Sequence, residues 1–313
     1  MIWCWAAAGL RPKARTQTRI YLEYAIARIA VATLQYAPMS LATWLGHGYA
    51  RLLDLTVPRL RRVAMRNLAM ALPNLPVTRH SQITDGVFES IGRLLVAFSR
   101  FPAISRSTVN QWIRYEGFEH FTAARNLGKG VLFATAHLGN WELSAFAHAL
   151  LAEPMHVVVR PLDNPLIDRF VEQRRAASGN TLIDKRDFAR PILKALHANE
   201  AVGVLVDQNA SLDSGVFVPF FGIPACVNPG FAKLAAHSGA AVIPGFALWS
   251  KAERGYVLRF YPEVEVTGDA ARDTEAIQHA LESAISEYPD QWLWIHRRWK
   301  TRPPGESSRY NDL

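Results

Sequence analysis

The segment His137-Leu138-Gly139-Asn140-Trp141-Glu142 holds the residue types best suited to chemistry: an imidazole and a carboxylate five residues apart, with a glycine and an asparagine between them. A carboxylate bonded to one ring nitrogen fixes the tautomer and raises basicity, leaving the other nitrogen to take a proton from an alcohol. No Gly-x-Ser-x-Gly nucleophile stands nearby. A substrate hydroxyl would then attack directly, with no covalent enzyme intermediate. Inside one helix, five residues separate two side chains by about 140°, so contact between His137 and Glu142 requires a turn. Gly139 permits one, and Asn140 can cap the helix that follows. On spacing alone, the pair reads equally as a packed histidine and a glutamate at a helix N-terminus. His148 adds no metal reading, because His-Glu-x-x-His is absent. No cofactor motif is present. Cys4 and Cys226 form neither a disulfide framework nor a zinc pattern, which fits a reducing compartment.

The elements that must hold this segment can be read from the hydrophobic pattern. VLFATA (131–136), MHVVVR (155–160), VGVLVD (202–207), AVIPGFALW (241–249) and YVLRFYP (256–262) are runs of strand length. Helix-period segments separate several of them: Trp141–Leu151, Leu166–Ser178, Phe188–Ala198 and Pro229–Ser238, with Thr274–Tyr288 as a last amphipathic helix. The alternation predicts an α/β fold with a parallel-rich sheet. Chemistry in such folds collects where strand C-termini meet helix N-termini, and VLFATA runs straight into His137.

Residues 20–100 read as helical: one long apolar helix to about Leu55, a second around Leu60–Leu72 closed by Pro73 and Pro76, and a third across Ser81–Ser99. Charge is uneven. Residues 1–66 hold ten Arg and Lys against two acids, whereas 25 basic and 25 acidic residues follow, so the whole net charge of +8 lies in the first fifth. The basic residues bracket the uncharged stretch IAVATLQYAPMSLATWLGHGYA (29–50). That favours a membrane surface over nucleic acid, for which no binding motif appears. Pro38 interrupts the stretch, so a monotopic or re-entrant anchor is preferred to a single span; a buried helix with a basic flank is the alternative. The opening MIWCWAAAGL has no basic residues before its apolar run, unlike a cleaved signal peptide. The organisation expected is a helical membrane-associating region over 1–75 and an α/β domain over 76–313.

Four ordered segments carry a family resemblance over roughly residues 20–303. HLGNWE resembles the His-x-x-x-x-Asp/Glu motif of glycerolipid and lipid A acyltransferases. VVVRPLDNPLIDRFVEQRRAASG (157–179), VLVDQNASLDSGVFVPFFGIPACVNPGFAKLA (204–235) and YPDQWLWIHRRWKTRP (288–303) are similar to segments of the late lipid A acyltransferases, the lauroyl and myristoyl transferase group. The resemblance implies a glycerol-phosphate-acyltransferase-like mixed sheet flanked by helices, behind an N-terminal helical membrane anchor. It implies transfer of a fatty acyl group from a thioester on acyl carrier protein to a hydroxyl of a lipid A precursor, at the inner membrane on its cytoplasmic side.

Carried over by position, His137 is the general base and Glu142 its partner. Arg160, Asn164 and Arg174 are substrate-binding candidates that could hold a phosphate or the thioester carbonyl. Asp207 and Gln208, at a strand end, read either as substrate-sugar ligands or as structural hydrogen-bonding groups. The loop 214–224 reads as membrane-dipping or as lining an acyl chain, with ordinary core packing as the alternative. Trp292 and Trp294, with His296, Arg297, Arg298 and Lys300, suit a membrane interface or the docking of an acidic carrier protein. A related activity, acyl-coenzyme A dependent acylation of phosphatidylinositol mannoside, and a non-catalytic membrane-binding role on the same scaffold are the alternatives.

Overall fold

The structure, a computed structural model, describes residues 16–311 and 313. The opening segment MIWCWAAAGL, with Cys4, and the cations Arg11, Lys13 and Arg15 lie outside the described residues. The long N-terminal helix expected from the sequence is two: α1 (Gln17–Tyr36) and α2 (Met39–Thr56). Pro38 divides them, since it lacks a backbone N–H and forces Ala37 into extended backbone. Pro58 then opens α3 (Pro58–Ala71), and α4 (Val77–Arg100) follows the Pro73 to Pro76 break. No helix among the described residues is long and apolar enough to cross a membrane.

From residue 113 the chain alternates strand and helix. The elements run β1 (Ile113–Glu116), α5 (Phe118–Asn126), β2 (Val131–Thr135), α6 (Trp141–Leu151), β3 (His156–Val159), α7 (Pro165–Ala176), β4 (Thr181–Asp184), α8 (Ala189–His197) and β5 (Ala201–Leu205). A hairpin of β6 (Val216–Phe220) and β7 (Ile223–Val227) precedes α9 (Gly230–Ser238), β8 (Ala241–Ser250), β9 (Gly255–Phe260) and α10 (Ala270–Glu287). Seven strands form a sheet in the order β1-β9-β8-β2-β5-β3-β4, in which only β8 and β9 run antiparallel. The fold is thus mixed α/β, with a parallel-rich sheet flanked by helices.

The expected strands are present. Their runs are continuously apolar because both faces are covered. On β2, Leu132 and Ala134 enter one core with α3, α8, α9 and α10, while Val131 and Phe133 enter another with α5, α6 and α7. The short strands β1 and β4 and the helix α5 carried too weak a pattern to be read from the sequence. In the 214–224 loop the core-packing alternative holds for Phe220: the loop forms most of the β6/β7 hairpin, and Phe220 is fully buried against Trp292 and Trp299, with ring centroids 5.6 and 6.1 Å away. Trp292 and Trp294 are likewise fully buried and present no surface to a membrane.

One polar pair lies inside the second core. His148 of α6, ringed by Phe121, Phe133 and Phe260, shares a 2.8 Å hydrogen bond between its Nδ1 and the Tyr115 hydroxyl. Burial pushes the imidazole down from 6.5 to about 4. A folded value below the unfolded one means that the unfolded chain binds the proton first. The contribution, on the order of 3 kcal/mol, is whole above pH 6.5 and is lost as pH falls through 4. Thermal unfolding midpoints should drop across that window, and the double variant Tyr115→Phe, His148→Phe should flatten the drop. An unchanged pH profile in the double variant would remove His148 from this role.

Candidate active site

The C-terminal end of β2 leads into the turn that carries His137. Gly139 has φ +63°, and a Cβ there would lie 2.0 Å from the Ala247 carbonyl oxygen of β8. Only glycine seats the turn so close. The Asn140 amide donates to that same carbonyl at 2.8 Å, and the Asn140 side chain accepts from Leu143 N, capping α6 as its sequence position predicts. His137 therefore sits at the strand lip and Glu142 in the first turn of α6.

The imidazole is oriented from the neighbouring strand. Val206, just past β5, donates to the Thr135 carbonyl, which carries the parallel pairing on and sets Asp207 beside His137. His137 Nδ1 donates to Asp207 Oδ1 at 2.8 Å, and the His137 amide donates to Oδ2 at 2.9 Å. Trp292 Nε1 completes the set, donating to Oδ2 at 2.9 Å. Burial alone would raise the Asp207 carboxyl. The charge and hydrogen bonds of His137 override it and hold Asp207 well below the usual carboxylate range. With Nδ1–H committed to a carboxylate, the tautomer places the accepting lone pair on Nε2.

Glu142 is held differently. Arg175 of α7 grips it with both arms of the guanidinium, Nε to Oε2 at 2.9 Å and Nη2 to Oε1 at 2.6 Å. Burial raises the Glu142 carboxyl, but Arg175 outweighs it and the group is lowered; His137 is near enough to contribute to the lowering. His137 is thus flanked by two ionised carboxylates. A third buried group, His296, donates from Nδ1 to the Leu293 carbonyl at 2.7 Å and is pushed down to about 4, chiefly by burial.

These groups open onto a cavity of about 410 Å³. Its buried end is mainly apolar, with Phe133, Phe146, Met155, Leu258 and Phe260 around His148; its exposed end carries Arg59, Arg160, Arg297 and Lys300. Arg59 and Arg297 both donate to the Leu313 main-chain oxygen, and burial and the proximity of Arg59 lower Arg297. Among the described residues, no group of three or more His, Cys, Asp or Glu side chains could hold a metal ion.

Of the residues singled out from the sequence, His137, Glu142, Arg160 and Gln208 line the cavity, and Asp207 backs His137. Asn164 and Arg174 do not line it. Asn164 caps α7 and donates to Ile20 O and Glu23 Oε2 of α1. Arg174 donates to the carbonyls of Phe98 and Ser99 at the end of α4 and to Gln35 Oε1 of α1. The cavity-facing arginine is its neighbour Arg175; successive residues of a helix point about 100° apart, and the sequence did not fix the phase. Trp292 was missed as a partner of Asp207, although it lies inside a motif already singled out.

The chain is similar to known proteins over most of its length. The family described as bacterial lipid A biosynthesis acyltransferase matches residues 11–301. The chain is 31% identical over 269 residues to the lipid A biosynthesis lauroyltransferase of Escherichia coli (strain K12), covering 85% of this chain and 87% of that protein. It is 30% identical to the lipid A biosynthesis palmitoleoyltransferase of the same organism, covering 80% and 82%. It is also 27% identical to a phosphatidylinositol mannoside acyltransferase of Mycolicibacterium smegmatis, covering 75% and 78%. A mixed α/β sheet with an oriented histidine at a strand end, opening on an apolar-floored cavity, is here the frame of an O-acyltransferase. The chain belongs to the bacterial lipid A biosynthesis acyltransferase family.

The geometry makes Trp292 a positioning residue for the Asp207 carboxylate. A hydrogen bond to a charged group contributes about 1.5 to 3 kcal/mol, so Trp292→Phe should lower kcat about tenfold or more with little change in KM. Trp294 is equally buried but donates to the Pro289 carbonyl, so Trp294→Phe should lower thermal stability and leave kcat close to wild type. Equal effects of the two variants on kcat would count against the assignment.

Proposed function

We propose that this enzyme moves a fatty acyl group from a thioester on acyl carrier protein to a hydroxyl of a lipid A precursor, at the cytoplasmic side of the inner membrane. The observation that carries this reading is the His137–Asp207 hydrogen bond at the wall of a cavity mainly apolar at its buried end and cationic at its open end. His137 Nε2 takes the proton of the acceptor hydroxyl as its oxygen attacks the thioester carbonyl. Glu142, anchored by Arg175, stabilises the imidazolium that forms. The tetrahedral oxyanion develops near the N-terminus of α6, which starts at Trp141 beside the His137 ring, and the positive end of the helix dipole favours it. Collapse expels the thiolate, and His137 returns the proton to it.

The acyl chain occupies the buried end of the cavity, whose volume holds on the order of a dozen water-sized groups at ~30 Å³ each. Arg59, Arg160, Arg297 and Lys300 receive the anionic parts of the acceptor or of the carrier's prosthetic arm. The N-terminal region, to about residue 75, is the membrane-associating part. The phosphatidylinositol mannoside acyltransferase relatives support a second reading with a mannosylated lipid as acceptor; acyl-coenzyme A is the donor we pair with it. Incubation with each donor and each acceptor, read by lipid mass spectrometry, separates the two.

His137→Ala should lower transfer by about 10² to 10⁴ with the circular dichroism spectrum unchanged; near-normal transfer by this variant would overturn the general-base role. Chain selection gives a second check. A Cβ at Gly203 would meet Met155 Cε at 2.6 Å, and both residues line the cavity. Gly203→Ala should therefore shift donor preference to shorter acyl chains, and Met155→Ala to longer ones, in competition between thioesters of graded length. No shift in either variant would place the acyl chain elsewhere.

A further inference from the structure

Several polar side chains interrupt the carbon of the cavity wall. Asn180 is bonded within the protein: it accepts from Met155 N and donates to the Ala145 carbonyl. Thr135, Ser144 and His148 are not met in this way. The Thr135 hydroxyl and His148 Nε2 are buried with no hydrogen-bond partner among the described residues. Ser144 sits inside α6, where a hydroxyl commonly turns back to the carbonyl four residues before it, as Thr84 and Thr274 do on their helices. The Ser144 hydroxyl makes no such bond, nor any other among the described residues.

These three groups follow the path of an acyl chain from the reacting end inward. Thr135 and Phe133 share one face of β2, as alternate residues of a strand do, and both line the cavity. On α6, Trp141, Ser144, Ala145 and His148 share a face at helical spacing, and all four line it. The Trp141 ring stands 4.9 Å from that of His137. At roughly 1.5 Å of rise per residue, Ser144 lies about 4.5 Å further along the helix and His148 about 6 Å beyond Ser144. His148 is 2% exposed and packs against Phe133 and Phe260 at the buried end, with ring centroids 5.2 and 5.8 Å away. The Tyr115 phenol donates to its Nδ1 at 2.8 Å, which leaves the imidazole hydrogen on Nε2. The reverse arrangement would leave the phenol hydrogen without a protein partner as well.

A plain hydrocarbon chain along this path leaves all three groups unmet, and burying unmet polar groups is costly. An oxygen on the chain meets them. Sites built to hydrogen-bond a substrate hydroxyl discriminate strongly against the analogue that lacks it, because their own polar groups are then left unpaired. We propose that the acyl group this enzyme prefers carries a hydroxyl along its chain, and that Thr135, Ser144 and His148 are the specificity-determining residues that select it. This selection rests on the acyl-thioester donor proposed above.

The test is a competition, with the full chain, between acyl carrier protein thioesters of dodecanoate and of its forms hydroxylated near the thioester, at mid-chain and near the methyl end. Products are read by lipid mass spectrometry. Wild type should favour one hydroxylated form over dodecanoate by about tenfold or more in kcat/KM. That preference should fall to within about twofold of parity in at least one of Thr135→Val, Ser144→Ala and His148→Phe, and Thr135→Ser should retain it. Loss in the first two places the hydroxyl toward the thioester, and loss in the third places it at the buried end. A ratio measured within one sample does not depend on the fraction folded, so a general loss of stability leaves it unmoved. Equal or better use of dodecanoate by wild type overturns the proposal and assigns water to the three groups. So does a preference that survives all three variants. Transfer from none of the thioesters by wild type is a separate result, which removes the acyl carrier protein donor and the selection with it.

Discussion

A fully buried carboxylate organises this protein. Asp207 is costly to hold in an apolar interior unless its charge is met by directed donors, and it has three, from two distant parts of the chain. The His137 side chain and amide come from 70 residues upstream and the Trp292 indole from 85 residues downstream. Satisfying them requires β5 to lie beside β2 and the segment after α10 to return to the turn at 137–140. That return is itself hydrogen-bonded: Leu293 N donates to the His137 carbonyl, and Gly139 N donates to the Gln291 carbonyl. The orientation of one imidazole is thereby tied to the closure of the whole α/β layer.

A second buried charge supports the same place without touching the reacting group. Arg298 is fully buried and donates to the carbonyls of Gln208 and Cys226 and to Gln278 Oε1, with its face over Phe220. Burial pushes it down to about 10, while Asp207 works in the opposite direction. It ties the segment after β5 to β7 and α10, so the carboxylate at 207 is fixed from behind as well as in front. The His-Arg-Arg run therefore splits by direction: His296 and Arg297 face the cavity, and Arg298 faces the core.

The cavity inherits its division from the sheet. Strands covered on both faces are mostly apolar, so the space left between the sheet and α6 is walled mainly by carbon, with Thr135, Ser144 and His148 as the polar exceptions. Gly203 and Gly245 are where the strands concede that space, each opposite a side chain, Met155 and Phe260, that a Cβ would displace. Charge enters at the strand ends, where Arg160 and the His137 turn lie, from Arg175 in the last turn of α7, and from α3 and the segment after α10, which bring Arg59, Arg297 and Lys300. On the outside of the molecule, α1 and α2 carry exposed apolar residues, Ile29, Trp44 and Leu55 among them, alongside their arginines.

Much of this was written in the local sequence. The strand runs, the Gly139 turn, the Asn140 cap, the proline breaks and the chemical character of HLGNWE are short-range properties, fixed by steric and hydrogen-bonding preferences that act over a few residues. The family followed from four such segments in order. What the sequence left open was every choice depending on which faces meet. It offered Glu142 as the neighbour of His137, because five residues are visible along a chain and seventy are not. Asp207 takes the Nδ1 position only because β5 pairs with β2. It offered Arg174 where helix phase brings Arg175. It read the tryptophans as surface and left the phenylalanine-rich hairpin open between surface and core, because aromatic density alone cannot tell a core from an interface. Composition and spacing determined which groups this enzyme has for its chemistry; tertiary packing alone decided which of them touch, since a contact is a property of two faces and a sequence carries only one at a time.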